Sequence, residues 1–125
     1  MDECVSGVNV LTEKIIGCAY KVGNTLGCGF LEKVYENALA HELQKAGVRA
    51  AQQLPIKVHY DGVVVGDFFG DLLVEGTVLI ELKAVKAFED IHFAQCLNYL
   101  KATGYKICLL VNFGATRVQL KRIAL

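Results

Sequence analysis

The chain predicts an α+β fold, an α/β sandwich in which helices pack on one mixed β-sheet. Three observations lead there. Apolar residues recur at helical spacing in the first third of the chain. Turn pairs then punctuate a run of apolar strands. A further helical segment precedes a nearly all-apolar strand, giving the order α-α-β-β-β-α-β-β.

Val8, Leu11, Ile15, Cys18 and Val22 form one face of a first helix. GNTLGCG, Gly23 to Gly29, is expected to break it, since three glycines in seven residues favour positive φ. A second helix is expected from near Gly29 through FLEKVYENALAHELQKAG, with Leu31, Val34, Tyr35, Ala38, Leu39 and Leu43 as its apolar stripe. Gly47 stops it, with Lys45 in the last turn. PIKVHY, VVVGDFFGDLLV and TVLIELKAV follow, joined at Asp61-Gly62 and Glu75-Gly76. They read as a three-stranded antiparallel meander. The next helix covers roughly Glu89 to Ala102 and closes at Gly104. Tyr105 to Phe113 reads as a central strand covered on both faces. In the last segment Val118, Leu120 and Ile123 alternate with Arg117, Gln119 and Lys121, the pattern of a more exposed strand.

The composition fits one domain over residues 1–125: 54% of residues are hydrophobic and 21% charged, enough for a real core. Apolar runs fall well short of the ~20 residues a membrane-spanning helix needs. MDECVSGVNV lacks the basic start of a signal peptide. Basic and acidic side chains balance at 13 each, which argues against a general polyanion-coating protein but leaves room for a local basic groove. Cys4, Cys18, Cys28, Cys96 and Cys108 make an odd set without a CxxC pair. They read as small buried hydrophobes in a reducing cytoplasm, with neither a disulfide framework nor a zinc site indicated.

The chemistry concentrates in GDLLVEGTVLIELKAV, Gly70 to Val85. A three-residue loop, Glu75-Gly76-Thr77, sets Val74 opposite Val78 and Asp71 opposite Glu81. It leaves one face wholly apolar: Leu72, Val74, Val78, Ile80 and Leu82. The other face collects Asp71, Glu81 and Lys83. Directly opposed carboxylates repel and destabilise a sheet. Lys83 can offset part of that, and a divalent cation with oxygen ligands offsets more. The competing reading is a salt-bridged trio on a solvent face, worth little energetically.

Asp71…Glu81-Leu82-Lys83 resembles the PD-(D/E)XK nuclease superfamily. Gly29-Phe30-Leu31-Glu32-Lys33-Val34-Tyr35 resembles the GxxExxY family within it. With Gln95 to Tyr99 and Leu109 to Gly114, the resemblance covers nearly the whole chain. It implies a restriction-endonuclease-like core and metal-dependent hydrolysis of a nucleic-acid backbone. It further implies that Asp71, Glu81 and the Leu82 carbonyl ligate Mg²⁺ or Mn²⁺, with Glu32 reaching the metal directly or through water. By the same resemblance Lys83 positions the attacking water, and Gln95 and Tyr99 orient the lysine or bind a phosphate. DNA is the implied partner, with no membrane, and small nucleases of this fold often act as homodimers. Two positions depart from the pattern: Gly70 replaces the name-giving proline, and Gly23 stands where a histidine is common.

Glu32 and Tyr35, one helical turn apart, are expected to share a face. Gln95 and Tyr99 are expected beside the stripe of Phe93, Cys96, Leu97 and Leu100. His41 and His59 read as surface residues, while His92 can face the site. Lys86, Lys101, Lys106, Arg117, Lys121 and Arg122 form the pool for phosphate contacts, without a basic run. The alternatives left open are a catalytically inactive nuclease-fold binding module and a purely structural domain.

Overall fold

The computed structural model describes residues 3–125, with side chains from Gly7 onward, so the side chain of Cys4 falls outside the described part. The elements are α1 (Glu3–Leu26), α2 (Glu32–Lys45), β1 (Ala50–Tyr60), β2 (Val63–Val74), β3 (Val78–Lys83), α3 (Asp90–Thr103), β4 (Ile107–Asn112) and β5 (Gln119–Ala124). This is the expected order. The strands form one sheet in the order β1-β2-β3-β4-β5. β3 and β4 run parallel and every other pair is antiparallel, so the sheet is mixed.

Two apolar clusters sit on opposite faces of that sheet. Ile15, Ala19 and Val22 of α1 and Tyr35, Leu39 and Leu43 of α2 pack with Leu72, Val74, Val78, Ile80 and Leu82. That is the apolar face expected of the hairpin. Cys96, Tyr99 and Leu100 of α3 pack with Ile56, Leu79, Cys108, Leu110 and Ile123 on the other. Side chains alternate along β3 and β4, so even residues of β3 join the first cluster and Leu79 joins the second. Glu81 and Lys83 therefore point to the face that α3 covers.

Several boundaries move. α1 runs through Gly23 and ends only at Leu26, where Gly27 takes a left-handed φ of 69° and donates to the Gly23 carbonyl at 2.9 Å. Gly23 serves packing, since a Cβ there would collide with Val118. α2 begins at Glu32, three residues after Gly29. Gly47 and Gly104 end α2 and α3 as expected, both with positive φ. Cys96 and Cys108 are buried, but Cys18 is only half-buried and Cys28 is exposed.

β1 and β2 share an irregularity that matters for the site. Their register passes from Gln52↔Leu72 to Leu54↔Gly70, skipping Gln53 and Asp71. Gln53 adopts φ 58°, a left-handed conformation costing a non-glycine residue about 1–2 kcal/mol. Leu72 joins the first cluster, yet a Cβ on Gly70 would meet Leu79 and Ile56 of the second. Strict alternation would put both on one face. The strand therefore changes face at Asp71.

Candidate active site

The Glu75-Gly76-Thr77 loop has the expected register, with Val74↔Val78, Leu73↔Leu79 and Leu72↔Ile80. The ladder stops there, one step before Asp71 and Glu81. Side chains replace backbone beyond that point. The Leu82 N–H donates to Asp71 Oδ2 at 2.7 Å, and the Asp71 N–H donates to Glu81 Oε1 at 3.1 Å. The two acids are stitched into the gap where β2 and β3 part. Gly70 belongs to this arrangement: a Cβ would stand 2.7 Å from Leu79 Cδ1 and 3.7 Å from Glu81 Oε1.

Glu81 is 4% exposed and Asp71 half-buried. Burial pushes the Asp71 carboxyl up to about 6, helped by the negative charges of Glu36 and Glu32 and resisted by its bond from Leu82. Burial first, then the Asp71 charge, pushes Glu81 up to about 8. Near neutral pH the pair therefore holds roughly one proton between them. A salt-bridged trio on a solvent face is not what forms.

Lys83 does not pair with either acid. Its Nζ donates to Gln95 Oε1 at 2.9 Å, and Gln95 Nε2 donates to Tyr99 Oη at 3.1 Å. Gln95 and Tyr99 lie one turn apart on α3, which lays this relay along the lysine. Tyr99 is buried within the α3 cluster, not beside it. A second set of bonds fixes the end of β3. Asn112 Oδ1 accepts from the Val85 and Gly114 N–H groups at 3.0 and 2.9 Å, and its Nδ2 donates to the Val85 carbonyl at 2.8 Å. A Cβ on Gly114 would collide with the backbone of Ala84 and Val85.

Glu32 and Tyr35 stand one turn apart in α2, but their surroundings differ. Glu32 is exposed at the start of α2, close enough for Asp71 to feel its charge. Among the described residues, no three His, Cys, Asp or Glu side chains already converge as a metal cluster. Tyr35 is fully buried instead. Its hydroxyl donates to the Gly27 carbonyl at 2.6 Å and accepts the Phe30 N–H at 3.2 Å, and its ring stacks on Phe113 at 4.7 Å. Tyr35 thus fastens the loop that leads into Glu32 and stays away from the cleft. His41 and His59 are exposed, and His92 lines the cleft beside Gln95 while its Nδ1 accepts the Glu89 N–H at 3.0 Å.

Glu36 escaped the sequence reading. It is 3% exposed and accepts from Lys33 Nζ at 2.9 Å, Gln52 Nε2 at 2.6 Å and Gln53 Nε2 at 2.7 Å. The bond from Gln53 holds the left-handed residue whose skipped partner is Asp71. A glutamate one turn after Glu32, followed by a Gln-Gln pair at the next strand, is the only trace this leaves in sequence.

A sandwich whose central hairpin sets two opposed acids, one of them buried, beside a relayed lysine is the architecture of a nuclease-type domain. The chain belongs to the PD-(D/E)XK nuclease superfamily, whose family model matches residues 9–123. No curated protein matches it. Its fold is similar to that of an alkaline exonuclease from Laribacter hongkongensis, with TM-score 0.54, 17% identity, and 74% of this chain and 55% of that one covered. It is also similar to the crystal structure of SSO0001, with TM-score 0.57, 17% identity, and 74% and 50% covered. The chain spans about half the length of each.

Proposed function

We propose that this protein is a metal-dependent phosphodiesterase of the GxxExxY type that hydrolyses nucleic acid, with DNA as the substrate and Mg²⁺ or Mn²⁺ as the cofactor. One observation carries the reading: two under-bonded carboxylates, the buried Glu81 and the half-buried Asp71, next to the Lys83–Gln95–Tyr99 relay.

The donor set fits a hard divalent cation, which takes carboxylate and carbonyl oxygens. Each acid receives a single backbone N–H, and both are held above the usual carboxylate range. A positive charge between them would relieve both effects. The Lys83 carbonyl accepts the N–H of Phe113, the residue that follows β4. Leu82, the preceding residue, therefore turns its N–H and carbonyl toward β2, where Asp71 waits. That supports Leu82 as the third ligand, with Glu32 reaching in through water.

Such an ion, when bound, polarises the phosphoryl group and renders water nucleophilic near neutral pH. The chain's own residues do the rest. Lys83 spends one of its three donors on Gln95 and keeps two to orient the attacking water and hold a non-bridging phosphate oxygen. Gln95 and Tyr99 keep the ammonium in place through the approach of the substrate. The free thiols Cys18, Cys28, Cys96 and Cys108 suit a reducing cytoplasm. Among the described residues no helix is long and apolar enough to cross a membrane.

The test is cleavage of single-stranded, duplex and branched DNA and of RNA with Mg²⁺ or Mn²⁺, by wild type and Asp71→Ala. The expected result is cleavage by wild type alone. If nothing is cut and Asp71→Ala binds metal as tightly as wild type, the reading is wrong.

A further inference from the structure

A cleft of about 920 Å³ opens between the β1–β2 hairpin and α3, and Lys83, Gln95 and Tyr99 are among the residues that line it. Lys57 and His59 of β1 and Lys101 and His92 of α3 stand along its walls, and no carboxylate lines it. Lys57 on β1 also meets Asp67 on β2 at 3.2 Å, both exposed. In a chain of zero net charge, Lys57, Lys83 and Lys101 gathered in a cleft that no carboxylate lines mark an anion-binding surface.

The cleft also carries an exposed aromatic ring. Phe68 on β2 is 46% exposed and lies 5.9 Å from Tyr99, tilted 42°. Gly66 leaves room for it, since a Cβ there would come within 2.8 Å of Phe68 Cε2. Phe68 and Asp71 are three positions apart, about 10 Å along a strand at ~3.3 Å per residue.

We propose that this cleft binds a single-stranded nucleic-acid segment, with a base stacked on Phe68, phosphates against Lys57 and Lys101, and the next phosphate delivered to Lys83. The proposal rests on the nuclease reading for that last contact. A duplex keeps its base faces stacked inside and offers a protruding ring only its backbone. An unpaired strand offers both π-faces and phosphates, the pair of features that basic, aromatic grooves use. The ring and the cations together therefore select the single strand.

The test is fluorescence anisotropy in EDTA, where nothing is cut, with a labelled single-stranded oligonucleotide (deoxy and ribo in parallel) and the matching duplex. Wild type should bind at least one single strand more tightly than the duplex. Phe68→Ala should weaken that binding about 5- to 150-fold, from the stacking energy per base, and Phe68→Trp should retain it. Gly66→Ala, which displaces the ring but leaves it present, should fall between. Lys101→Gln should reduce the slope of log affinity against log salt by about 0.7. Circular dichroism checks that each variant is folded. The proposal is overturned if Phe68→Ala binds every single strand like wild type, or if the duplex binds tighter. Phe68-dependent binding without metal-dependent cleavage would keep the cleft and remove the nuclease. Cleavage that ignores Phe68 would do the reverse.

Discussion

Glu36 and Glu81 are equally buried, at 3% and 4% exposed, and the molecule treats them in opposite ways. Glu36 is surrounded by three side-chain donors, from Lys33, Gln52 and Gln53. Glu81 receives one backbone N–H and faces Asp71. A buried carboxylate is tolerated when donors saturate it and otherwise takes up a proton or a cation. Burial alone thus marks neither site as functional; the count of donors separates them. The two are also linked, because Glu36 holds Gln53 in the backbone conformation beside Asp71.

The sharpest way to break this contrast is in activity. Asp71→Asn should lower metal-dependent cleavage by roughly 10³-fold or more, several kcal/mol of charge stabilisation. Glu36→Gln should retain most of it. Steady-state cleavage of a labelled strand measures both.

Stability against pH separates the glutamates next. The folded-state values of Asp71 and Glu81 lie above their unfolded values, so the folded state holds protons more tightly. Their contribution is fully present below about pH 4, falls as pH rises, and is lost above about pH 8. Metal-free protein should lose a few kcal/mol across that window, read by urea denaturation. Glu81→Gln should flatten the profile and stabilise the fold at pH 9, and added Mg²⁺ should stabilise wild type there but not the variant.

Glu36→Ala should destabilise the fold at pH 7 by about 1.5–3 kcal/mol, because it removes the charged acceptor that Lys33, Gln52 and Gln53 share. The same denaturation experiment would contradict the comparison if Glu36→Ala were neutral. Gln95→Ala should give the smallest effect, about tenfold in kcat with metal affinity unchanged, since it orients Lys83 and holds no ligand.

Much of this was readable in the chain. Period-two and period-3.6 patterns gave every element, and glycine marked the ends of α2 and α3. The hydrophobic pattern chose the right register for β2 and β3, because a slip of one residue would have exposed Leu72 and Ile80. Helix α3's placement over Glu81 was not readable, since it depends on the crossover from β3 to β4. Nor was the split of the acids from Lys83, which follows from Gln95 competing for the ammonium. Gly23 misled because its reason lies in Val118, far away in sequence. Gln53 carries no sequence sign of left-handed backbone, because Glu36 imposes it across space.

Calorimetric titration of wild type, Glu36→Gln and Glu81→Gln with Mg²⁺ or Mn²⁺ tests the central claim most directly. One saturable site should appear in wild type and in Glu36→Gln, and vanish in Glu81→Gln. A wild type with no saturable site, or a Glu81→Gln variant that binds as tightly as wild type, would contradict it.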